Sequence, residues 1–349
     1  MTCNAVLLCK NTFSTEKRKK VSILPRKPAP ELKANESTFA FDFRAAARKA
    51  VYDHPEIKKN TIFVDAANDD YIAAPRVMQK LDDDDDAYDE LKKTVRTAKR
   101  LKTSFSDTIF LDQKHYIKSV VFHRDRHTLY DPENRAIDDV GTFDHETGHV
   151  LSPETQGTLA ENTADAYAAI RHVQRFDGQK TDLEYAAWKR SVIFITSGQT
   201  SHLTTFTLDK ITIDRATAHF VSLTPAETAA IAKAYAQTHT PDENRLKTLA
   251  RDFRAARDKK VTEATFLRIA AITLRADPSS DTFYMGARAL MTPLNRANVK
   301  LDGKTIRLKD PKWDAIRDKL DKKTASLPAA HPLRNLKFNA HSGHGYGGG

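Results

Sequence analysis

The segment Phe143-Asp144-His145-Glu146-Thr147-Gly148-His149-Val150-Leu151 stands apart because its residue types and spacing could do hydrolytic chemistry. On a helix, positions i and i+4 share a face, so His145 and His149 can present two imidazoles to one Zn2+. Glu146 adjoins the first of them and can act as general base toward a metal-bound water. A tetrahedral catalytic zinc needs a third protein donor and keeps its fourth position open. A random chain of this composition contains H-E-x-x-H about 2% of the time, so the third donor decides whether the pattern carries chemistry.

Downstream, Ser152-Pro153 breaks the first helix and a loop runs through Gly157. A second helix then carries Glu161-Asn162-Thr163-Ala164-Asp165. Glu161, near its start, can swing back to a metal held by the first helix. Asp165, one turn on, lies on the same face and can accept a hydrogen bond from the non-ligating nitrogen of a zinc-bound histidine. Asp165 is also the competitor for the ligand position. Asp138 and Asp139 offer an N-cap for the first helix. Its core stripe is expected at Phe143, Thr147, Val150 and Leu151, with the ligands beside that stripe. The second helix buries Leu159, Ala166, Ile170 and Val173 in the same way.

H-E-x-x-H followed on the next helix by E-x-x-x-D resembles the gluzincins, the thermolysin-type zinc metallopeptidases, over about residues 119–176. The resemblance implies Zn2+ as cofactor and His145, His149 and Glu161 as its ligands. It implies Glu146 as base, Asp165 as the residue that orients a zinc-bound histidine, and a peptide or protein as substrate. It also implies a strand ahead of the active-site helix that forms the substrate-binding edge, here near Tyr116–His123. Eleven residues separate His149 from Glu161, fewer than in thermolysin.

Two further readings use some of the same residues. A helical metal-dependent phosphohydrolase would draw on His123, His145, Asp165 and His202, although the adjacent His-Asp pair of that class is absent. A zincin-like scaffold would bind a protein partner without catalysis. A donor for the tetrahedral oxyanion could be His202, His219, Tyr130 or Tyr185, and His202 is retained as a weak candidate. His123 and His127 read as surface histidines. His172 is eleven residues along a helix from Glu161, about 16 Å, too far to share its metal.

These residues need a framework, and the composition indicates α+β, mainly helical. The predicted architecture is a zincin-like active-site helix pair with a small sheet N-terminal to it and a helical C-terminal lobe. Of 12 glycines, five fall in the last seven residues. So few elsewhere argue against a turn-rich sandwich, barrel or propeller, and no nucleotide-binding glycine loop is present. Strands are expected at Thr61–Val64, Ser106–Phe110 and Tyr116–His123, from their β-branched and aromatic residues. Helices are expected at Leu81–Lys93, from a start in the acidic run Asp82–Asp86, and at most positions after Phe143. Thr224-Pro225 and Thr240-Pro241 read as capped helix starts, and Lys300–Leu308 as a hairpin around Asp302-Gly303.

The expected divisions are a flexible basic arm (1–38), dispensable for folding, a metal-binding domain (39–180), a helical domain (181–330) and a flexible His/Gly tail (331–349). The net charge is +10. Residues 1–30 contribute +6 and residues 300–323 contribute +4. The remainder is balanced, so no specific nucleic-acid binding is expected. Cys3 and Cys9 both lie in the arm, which excludes a disulfide framework. No stretch approaches 18 apolar residues, and a cytoplasmic location is expected.

Overall fold

Short runs buried on both faces, at Thr61–Asp65 and Asp70–Ala73, form the middle of the sheet on which the site rests. The computed structural model describes residues 21–23, 39–124, 135–152, 156–176, 180–215, 217–295, 299–301, 304–308, 310–329 and 331–335. The strands are β1 (Val21–Ile23), β2 (Thr61–Asp65), β3 (Asp70–Ala73), β4 (Phe105–Phe110) and β5 (Tyr116–Phe122). Their order is β1-β3-β2-β5-β4. The β2–β5 and β1–β3 pairs are parallel; the β2–β3 and β4–β5 pairs are antiparallel.

Two positions depart from expectation. Val21–Ile23, within the supposed flexible arm, pairs with Tyr71–Ala73. The strand near Tyr116–His123, expected at the edge, lies between β2 and β4. Its residues are apolar enough to be covered on both faces, whereas β4 is exposed or half-buried at every position but Ile109 and takes the edge.

Helices cover both faces. On one side lie α2 (Pro75–Asp82) and α3 (Asp85–Leu101), packed on Ile62, Val64, Ile109, Ile117 and Val121. The acidic run falls at their junction. Asp84 caps α3 through the Ala87 N–H at 2.9 Å, and Asp85 and Asp86 occupy its first turn, where the helix dipole favours negative charge. On the other side lie α1 (Phe43–Asp53) and α4 (Arg135–Leu151). Phe63, Ile72, Val120 and Phe122 of the sheet meet Phe43 of α1 and Phe143 and Val150 of α4. Phe63 and Phe143 stack with centroids 5.7 Å apart.

The first turn of α4 begins at Arg135, ahead of Asp138 and Asp139. These two aspartates are therefore inside the helix and buried, and do not cap it. Asp139 pairs with the Arg124 guanidinium at 3.0 Å, a tertiary partner that sequence spacing could not show. Every residue from Ile137 to Gly148 is buried, so α4 has no separate wet face beside a core stripe.

From α5 (Thr158–Arg175) the chain is almost wholly helical: α6 (Lys180–Ser197), α7 (Thr205–Asp214), α8 (Pro225–His239), α9 (Glu243–Asp252), α10 (Glu263–Arg275), α11 (Asp281–Asn295), α12 (Pro311–Ala325) and α13 (Pro332–Asn335). Thr224 and Glu227 form a capping box on α8. Asp242, rather than Thr240, caps α9. β6 (Val299–Leu301) and β7 (Lys304–Ile306) form the expected hairpin. Helix α6 contributes Leu183, Ala186 and Ala187 to a core shared with α5, α7 and α8, and Trp188, Val192 and Ile195 to the C-terminal core. Packing is thus continuous across residue 180. No helix among the described residues is long and apolar enough to cross a membrane.

The helix pair that would hold a metal meets at Gly148, where an added Cβ would lie 2.7 Å from Ala164 Cα. Gly148→Ala should therefore lower stability. The gain in helix propensity, about 0.5–1 kcal/mol, opposes overpacking against a backbone atom, about 1–3 kcal/mol. Thermal denaturation checks this, and an unchanged melting temperature would show that α4 and α5 separate freely.

Candidate metal centre

Helices α4 and α5 run antiparallel, and the contacts between them set the site. Asp144 pairs with Arg175 at 2.7 Å at one end. Gly148 meets Ala164 in the middle. Gly157, at φ +90°, turns the chain into α5, a conformation that glycine adopts without strain. This geometry brings Glu161 to the exposed end of α4 and Asp165 one turn deeper.

His145 Nε2 lies 3.1 Å from His149 Nε2. Glu161 Oε2 is 3.7 Å from His145 Nε2, and Glu161 Oε1 is 3.6 Å from His149 Nε2. Zinc bonds of 2.0–2.2 Å in a tetrahedron place neighbouring donor atoms roughly 3.3–3.6 Å apart. The three side chains therefore fit such an ion with little adjustment. They form the cluster of metal-capable donors found among the described residues. His123 does not join it; its Nδ1 instead lies 2.9 Å from the Arg124 carbonyl.

Behind His145, Asp165 is fully buried. Its Oδ1 lies 2.7 Å from His145 Nδ1, which directs Nε2 toward Glu161 and His149. Arg190 of α6 grips the same carboxylate through Nε at 2.7 Å and Nη2 at 2.8 Å. The Thr204 hydroxyl donates to Oδ2 at 2.5 Å. Burial pushes Asp165 up, but Arg190 and His145 outweigh it and hold the carboxyl well below the usual carboxylate range.

The other groups are tuned by the same neighbours. Burial pushes Glu161 up, yet the His202 hydrogen bond and the charges of His145 and Arg190 bring it down to about 2. Burial, with His145 beside it, takes His149 down to about 4, which favours the neutral imidazole a metal requires. His145 is drawn the other way: burial lowers it, but Asp165 more than compensates. Glu146 is buried and is pushed up to about 7 by that burial, against the charge of His145 and the polar neighbourhood of Ser106 on β4. A carboxylate near neutrality suits a general base.

His202 Nδ1 lies 3.1 Å from Glu161 Oε2 and 3.0 Å from Arg190 Nη1. It stands behind the third donor, so any donation to an oxyanion would have to come from Nε2. Tyr185 packs on Trp188 in the C-terminal core. His219 precedes the short turn Phe220–Ser222. His172 is buried against Phe176. His127, Tyr130, the cysteines, His341 and His344 lie outside the described residues. Arg190 and Ser106 were not singled out from sequence. Arg190 sits in a helix with no spacing relation to the motif, and Ser106 is joined to Glu146 only through the strand pairing.

Glu161→Ala should cut zinc affinity strongly, and Asp165→Asn by about 10–100-fold; competition against a chromogenic chelator measures both. Full affinity in Glu161→Ala would reassign the third ligand. Arg190→Met leaves the Asp165 charge buried without its ion-pair partner. It should lose about 3–5 kcal/mol of stability, and addition of Asp165→Asn should restore part of that in chemical denaturation.

No protein family, curated protein or solved structure matches the chain.

Proposed function

We propose that this chain is a zinc-dependent metallopeptidase of the gluzincin type. The observation that carries the reading is the cluster of His145, His149 and Glu161, whose facing nitrogen and oxygen atoms lie 3.1–3.7 Å apart, with Asp165 behind His145 and Glu146 beside them. His145, His149 and Glu161 would hold the ion. A bound Zn2+ supplies Lewis acidity, and it lowers the pKa of a water in its open position.

The chain's own groups do the rest. Glu146, raised by burial, accepts a proton from the attacking water and returns it to the leaving amine. Asp165 keeps His145 in the tautomer that leaves Nε2 free. Arg190 keeps Asp165 ionised. The edge strand β4 lies beside this centre, and its outer backbone groups suit an extended peptide added as a further strand. A peptide substrate and cytoplasmic residence belong to the same reading. The phosphohydrolase alternative loses support because His123 stands apart from the cluster. The scaffold reading leaves a buried carboxyl near neutrality without a task.

The purified protein should carry about one zinc per chain. Glu146→Gln should retain that zinc and lose peptide turnover, by a factor of at least about 100. Elemental analysis and a peptide-library assay test both. No transition metal after zinc reconstitution, or full turnover in Glu146→Gln, would sink the reading.

A further inference from the structure

The face of the β4–β5 hairpin turned toward α4 can be followed residue by residue. Ser106 stands opposite Val120, Thr108 opposite Lys118, and Phe110 opposite Tyr116. Ser106 lines one groove with His149, so its level is that of the candidate metal centre. Thr108 and Lys118 lie two residues further out, about 7 Å at the rise of a strand. A groove of about 240 Å³ follows this line, with Ser106, Thr108, Phe110, Lys118, His149 and Gln156 in its walls.

Lys118 is half-buried there. Its ammonium donates to the Val150 carbonyl at 2.7 Å and the Ser152 carbonyl at 3.0 Å. These are carbonyls at the C-terminal end of α4, and they fix the charge in place. An ammonium has three N–H donors, and these two bonds leave one over. Among the described residues, no carboxylate forms an ion pair with Lys118. Asp107 also lines the groove, but its carboxylate takes the Thr94 hydroxyl of α3 at 3.0 Å and the Thr108 N–H at 2.8 Å. Burial without a counter-charge pushes the lysine below its ordinary range. A ligand anion would relieve that cost.

We infer that Lys118 anchors a carboxylate subsite, so that preferred substrates carry a negative group about two residues from the bond that is cut. This rests on the metallopeptidase reading for its meaning, but not for its detection. The carboxylate has two possible sources, a chain terminus or an acidic side chain.

Three probes separate them: acetyl-Ala-Ala with a free C-terminus, acetyl-Ala-Ala amide, and acetyl-Ala-Asp amide. Each is titrated into the full-length protein, with and without zinc, by calorimetry. At least one acid should bind about tenfold or more tighter than the neutral amide, and whichever acid is preferred identifies the source. Lys118→Gln, which can still donate to the two carbonyls, should bring the probes within about twofold of each other. Thr108→Glu supplies an internal carboxylate and should do the same with the lysine retained. Equal binding of all three by the native chain, no binding by any, or discrimination that survives both substitutions overturns the subsite. Unchanged discrimination with a lower melting temperature in Lys118→Gln would make the lysine a helix cap alone. A chain that binds no zinc yet prefers the acids sinks the peptidase reading and upholds the subsite. A zinc enzyme that binds and cleaves acidic and neutral peptides alike does the reverse.

Discussion

The Asp165 carboxylate has no access to water and stays ionised, and the rest of the site is arranged around that fact. An isolated charge at such depth costs several kcal/mol. Here it is met from three other elements: His145 on α4, Arg190 on α6 and Thr204 ahead of α7. Each partner is thereby located. His145 is turned toward Glu161 and His149. Arg190 is brought to 3.7 Å from Glu161 and helps hold that side chain ionised. The site is thus completed by residues C-terminal to the helix pair that carries the candidate donors.

That constraint explains how far the sequence could be read. H-E-x-x-H and E-x-x-x-D are local patterns, and helical geometry alone places their side chains on shared faces. His145, His149, Glu161 and Asp165 were therefore legible, and the structure brings them together. Arg190 lies 25 residues beyond Asp165, and only the packing of α6 on α5 makes them neighbours. Helix α11 is buried all along, from Thr282 to Leu294, so neighbours on every side rather than one apolar stripe fix its place. Burial on all sides also removes the expected wet face of α4, whose Asp139, Asp144 and His145 meet charged partners on other parts of the chain.

The sheet shows a different limit. The positions of β2, β4 and β5 follow from residue type, but β1, β3 and the strand order do not, because β-propensity records a half-buried pleat rather than a neighbour. Tyr116–Phe122, expected at the edge that a substrate would meet, is the more apolar strand. Its apolarity is what puts it inside, with β2 on one flank and β4 on the other.

An open strand edge is a liability that proteins usually cover or blunt. The edge of β3 is covered here by the chain's own β1. Among the described residues nothing pairs with the outer side of β4, although Ser106 on that strand lines one groove with His149. The unpaired backbone is therefore left where the candidate chemistry is. Exposure at β4 and burial at Asp165 are complementary. One presents hydrogen-bonding groups to a ligand, and the other fixes the residues that would act on it. A fold selected for stability alone gains nothing from leaving this edge open beside three clustered metal-capable donors.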